Sequence, residues 1–76
     1  MKVNWSEVKK LGDKIKTKGP AYYRKQDTFR WQFVIKHLKT FETLNDETEK
    51  FNVIENVKHE LKKLGKEQLF ESLFIA

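Results

Sequence analysis

Eight large apolar residues crowd the eighteen positions from 27 to 44, DTFRWQFVIKHLKTFETL: Phe29, Trp31, Phe33, Val34, Ile35, Leu38, Phe41 and Leu44. On a helix with about 100° between residues they cover about two-thirds of the circumference, more than the single stripe of an ordinary surface helix. A segment this apolar needs cover from at least two sides, by neighbouring elements or by a second copy of the chain. A strand is the rival reading. Phe29, Trp31, Phe33 and Ile35 alternate with Thr28, Arg30, Gln32 and Val34, the period of a half-buried strand. Paired with Ala21 to Lys25, it makes a hairpin over about 21–35 and an α+β fold. The continuation Val34, Leu38, Phe41, Leu44 has a spacing that only a helix satisfies, and it favours the helix.

The elements that flank this segment are amphipathic. Asn4 is placed to cap a first helix over about Trp5 to Lys18, with Glu7 three residues on and Val3 and Val8 at staple positions. Val8, Leu11 and Ile15 share one face, with Trp5 at its edge, and Gly12 weakens the interior. Gly19 supplies a left-handed terminator and Pro20 forbids simple continuation. Residues 19–27 form the connection, although Pro20 is also suited to open a further turn, and Asp27 or Thr28 caps the central helix.

Asn45 and Asp46 end the central segment. Asp46, with Glu49 three residues on, begins a third helix whose apolar positions Phe51, Ile54, Val57, Leu61 and Leu64 fall on one face. Gly65 ends it. The connection of two or three residues makes the central and third helices antiparallel neighbours. The tail, with Leu69, Phe70, Leu73, Phe74 and Ile75, is too apolar to dangle. It is expected to form a short fourth helix that covers the central one or docks on a partner, and its removal to expose hydrophobic surface. The expected fold is a single all-α domain over 1–76, a small bundle of three to four helices.

With 76 residues, such a core barely outweighs chain entropy, and the chain has no cysteine to supply a disulfide or a thiolate metal site. Self-association is the remaining common source of stability for a domain this small. Neither a signal-peptide core nor a run of membrane-spanning length occurs, so the expected location is the cytoplasm. The bias toward Lys, Phe, Ile and Asn is that of an AT-rich bacterial or phage genome.

Charge is unevenly placed. Residues 1–40 hold eleven Lys and Arg against three acids, and residues 41–76 hold five against eight, for the overall +5. Lys9, Lys10, Lys14, Lys16 and Lys18 on the first helix, followed by Tyr22, Tyr23, Arg24, Lys25 and Arg30, form a cationic stretch. Its ammonium groups suit a polyphosphate backbone, and its tyrosines suit stacking on unpaired bases or bonding to phosphates. Lysine-rich faces are also commonly just solvated, and the tyrosines are equally suited to plug the core beneath the loop. A recognition helix would offer Arg, Asn or Gln where this one offers mostly Lys, so sequence-specific reading is not expected.

Arg30 and His37 project within the apolar arc of the central helix, where they mark a solvent gap between two packing seams or an interface. The competing expectation is a protein-protein module, an adaptor or inhibitor or a homodimer, that grips its partner through Trp31, Ile35, Phe70 and Phe74. No phosphate loop, nucleophile elbow or HExxH motif is present. Glu55 stands one turn before His59, a spacing that a solvated helical pair explains as well as a metal ligand pair does, and the acids at 46–49 are explained by the helix dipole. A non-enzymatic binding protein is therefore expected, with no metal, no cofactor, no membrane and no small-molecule substrate.

Overall fold

The computed structural model of the chain describes residues 2–17 and 21–75, and the side chains of residues 21–24 lie outside that description. In order, the elements are β1 (Lys2–Val3), α1 (Trp5–Thr17), α2 (Ala21–Thr43), α3 (Glu47–Lys63), two single 3-10 turns (Glu67–Leu69 and Glu71–Leu73) and β2 (Phe74–Ile75). The all-α reading is correct. The hairpin alternative is not, because residues 21–35 are helical throughout. The helix also begins earlier than expected: residues 21–27, read as part of a connecting loop that carries the YYRK stretch at 22–25, are helical, and Asp27 and Thr28 lie inside α2 rather than at its cap. From Ala21 to Thr43 there is no Gly or Pro to interrupt it. Lys18, Gly19 and Pro20, where the sequence sets the terminator of the first helix, lie outside the described residues.

The start of α1 and both ends of α3 are built from the residues that announce them. Asn4 Oδ1 accepts from the backbone N–H of Glu7 at 3.3 Å. The reciprocal half of that capping box is replaced, since the Asn4 N–H donates to the Leu73 carbonyl at 2.7 Å and Glu7 instead meets Lys10. At α3, Asp46 Oδ1 accepts from Thr48 N–H at 2.8 Å and Glu49 N–H at 3.0 Å. Gly65 closes the far end with φ +70°. There Gly65 N–H donates to the Lys62 carbonyl and Lys66 N–H to the Leu61 carbonyl, the paired bonds of a Schellman motif.

Helix α2, 23 residues and so about 34 Å long, is the spine of a body measuring 40 × 20 × 19 Å. Both α1 and α3 pack along it. The buried core joins Val3, Val8, Leu11 and Ile15 to Trp31, Val34, Leu38 and Phe41 of α2, then to Val57, Leu61 and Leu73. On α2 those positions are spaced three, four and three, a single helical stripe.

Two expectations about this core need correction. Phe29 and Phe33 belong to the crowded segment, yet they stand 63% and 43% exposed, and Phe51 at the start of the α3 stripe is 61% exposed. The stripe of α2 is covered by α1, α3 and the tail, whereas the rings of Phe29 and Phe33 are left exposed, with Glu60 of α3 at the margin of their side. The tail folds back as expected but is not an α-helix. Its two 3-10 turns bury Leu73, and β2 then pairs antiparallel with β1, setting Lys2 opposite Ile75 and Val3 opposite Phe74. Phe74 packs edge-on against Phe41 at 5.6 Å between ring centroids and tilted against Phe70 at 5.1 Å.

Candidate functional site

The lysines of α1 follow from its amphipathic register. With Val8, Leu11, Gly12 and Ile15 turned to the core, Lys9, Lys10, Lys14 and Lys16 are left in solvent, and all four are exposed. Lys10 pairs with Glu7 one turn back at 3.4 Å. Lys9, Lys14 and Lys16 have no carboxylate partner among the described residues. Lys9 and Lys16 flank a groove of about 280 Å³ between α1 and α2, whose floor includes Trp5, Trp31 and Ile35. Trp5 is held across the same helix pair by its indole N–H, which donates to Glu42 at 3.0 Å.

On α2, Lys25 is exposed and lines a depression of about 720 Å³ together with Phe29, Arg30, Phe33 and Glu60. Arg30 does not stand alone: it pairs with Glu60 of α3 at 3.7 Å, and Glu60 also lies 4.0 Å from Lys63. Arg30 and His37 are both half-buried at the edge of the packed stripe, but they do not separate two packing seams as the sequence suggests, because Phe29 and Phe33 on their other side are exposed. Lys18 and the side chains of Tyr22, Tyr23 and Arg24 lie outside the described residues. The polyanion candidates therefore separate into free cations (Lys9, Lys14, Lys16, Lys25) and paired ones (Lys10, Arg30).

Four residues assigned to a protein interface have other work in this fold. Trp31 is 2% exposed and seated against α1, and Ile35, Phe70 and Phe74 pack on the core around it. The outer surface of α2 carries what sequence reasoning missed: Phe29 and Phe33, perpendicular at 5.2 Å between centroids, and the exposed Lys36 and Lys39, which have no ion pair among the described residues. A usable signal existed. Lys25, Phe29, Phe33 and Lys36 are spaced four, four and three along the side opposite the Trp31, Val34, Leu38, Phe41 stripe.

Among the described residues, no three His, Cys, Asp or Glu side chains gather closely enough to hold a metal ion. His59 is exposed, and its neighbour Glu55 pairs with Lys58 at 3.7 Å. No described helix is long and apolar enough to cross a membrane. Comparison of the chain with protein-family models, with curated proteins and with solved structures finds no match.

Proposed function

We propose that this chain is a non-enzymatic binding protein that contacts the phosphates of a nucleic acid through the exposed lysines of α1 and the N-terminal half of α2. The observation that carries this reading is the lack of internal compensation. Lys9, Lys14, Lys16 and Lys25 are exposed with no carboxylate within ion-pair distance among the described residues, so binding a polyanion breaks no existing pair. Each ammonium that meets a phosphate releases condensed counterions, which favours binding and makes it salt-dependent. The alternative, a protein-protein module built on Trp31, Ile35, Phe70 and Phe74, is less favoured because those side chains contribute to the chain's own core.

The test is fluorescence anisotropy with labelled oligonucleotides over a range of salt. Binding is expected to weaken linearly on a log-log plot, and the double variant Lys9→Glu/Lys16→Glu to flatten the slope by about 2, one unit per lost phosphate contact. Affinity indifferent to salt, or unchanged in the double variant, would refute the reading.

A further inference from the structure

The outer side of α2 bears a feature that phosphate contact alone does not use. The depression of about 720 Å³ near Lys25 adjoins a second of about 250 Å³ that reaches Lys36, and the two share Phe29, Gln32 and Phe33 as lining. Together they form one trough along the helix, with two exposed aromatic rings in the middle and, at each end, a lysine that has no ion pair among the described residues. From Lys25 to Lys36 the helix rises about 16 Å, the length of some five stacked nucleotides of one strand at about 3.4 Å each. Among the described lining residues the one carboxylate, Glu60, is compensated by Arg30 and Lys63, so it does not cancel the lysines.

We infer that this trough is a stacking platform for the bases of single-stranded nucleic acid, in which separate bases stack on the mutually perpendicular rings of Phe29 and Phe33 and Lys25 and Lys36 meet the flanking phosphates. The inference rests on the phosphate-binding reading and narrows it, because a paired duplex keeps its base faces stacked on one another and presents none to a ring. Every base has a π face, so a phenylalanine platform accepts bases without regard to sequence. Patch size argues against a second protein as occupant. Two rings at these exposures offer roughly 200 Å² of apolar surface, well below the roughly 800 Å² that each partner of a stable complex buries. The cationic ends of the trough call for an anionic occupant.

The experiment compares labelled oligothymidylate with a duplex of the same length, binding to wild type, to Phe29→Ala/Phe33→Ala and to Phe29→Tyr/Phe33→Tyr. Because both rings are exposed, thermal melts by circular dichroism should match wild type in both variants. The expected result is a loss of about tenfold or more in oligothymidylate affinity for the alanine variant. Duplex affinity and the salt slope should stay unchanged, and the tyrosine variant should bind like wild type. Equal binding of strand and duplex by wild type and alanine variant alike overturns the platform and leaves the phosphate reading standing. Absence of any salt-dependent oligonucleotide binding sinks both. Light scattering that finds a wild-type dimer, and a monomer in the alanine variant, overturns the platform in favour of a second copy of the chain.

Discussion

Gly12 sits in the interior of α1, where its intrinsic helix propensity is poor. A Cβ added there would stand 2.6 Å from Nε1 of Trp31 and 3.2 Å from its Cδ1. The indole is rigid and almost fully buried, so it has little room to withdraw. In an open helix, Gly→Ala stabilises by about 1 kcal/mol. Here overpacking of the core is the larger effect, at about 1–3 kcal/mol. Gly12→Ala is therefore expected to lower stability, by up to about 2 kcal/mol, and the melting temperature by up to roughly 15 °C. Melts by circular dichroism decide the sign, and a rise in melting temperature would mean that α1 and α2 do not approach as closely as Gly12 allows. Trp31, for its part, is the residue whose role changed most between sequence and fold, from interface anchor to the indole on which α1 is seated.

At the scale of the element, α3 owes its boundaries to single residues at either end. One carboxylate oxygen of Asp46 serves the N–H groups of both Thr48 and Glu49, which otherwise lack an acceptor within the helix. Asp46→Ala should cost about 1 kcal/mol, and Asp46→Asn much less, since Asn caps about as well as Asp. Urea titrations followed at 222 nm test this ordering, and equal losses in the two variants would point to charge rather than capping. At the other end Gly65, at φ +70°, makes the left-handed turn that L side chains rarely adopt. Along α2 the same logic is extended over 23 residues without a breaker, which makes this helix long enough to carry both a packed stripe and an outward trough.

For the whole molecule, closure depends on joining the two ends of the chain. Leu73 is fully buried, its carbonyl accepts from Asn4, and β2 pairs with β1. A chain of this length has a net stability of roughly 4–11 kcal/mol. Truncating a fully buried leucine to alanine costs about 2–5 kcal/mol, so Leu73→Ala is expected to remove a large fraction of that margin. The urea midpoint should fall sharply with the slope m unchanged. A midpoint that does not move would mean that the tail is not part of the cooperative core. The charge polarity also acquires a spatial form at this scale: the basic N-terminal half becomes α1 and α2, and the acidic half becomes α3 and the tail.

Local signals were enough for the helical class, for the caps at Asn4 and Asp46, for the stop at Gly65 and for the short antiparallel join between α2 and α3. All of these depend on hydrogen bonds and side-chain periodicity within a few residues along the chain. The stripe of Trp31, Val34, Leu38 and Phe41 and the trough around Phe29 and Phe33 were both present in the eighteen-residue segment, but its periodicity does not say which would be covered. That was decided by where α1, α3 and the tail come to rest, since an apolar side is buried only if some element reaches it. The pairing of Val3 with Phe74 was equally invisible, because two-residue strands leave no repeat to detect and their partners lie at opposite ends of the chain. Tertiary packing thus settled which aromatic rings belong to the core and which remain available to a ligand.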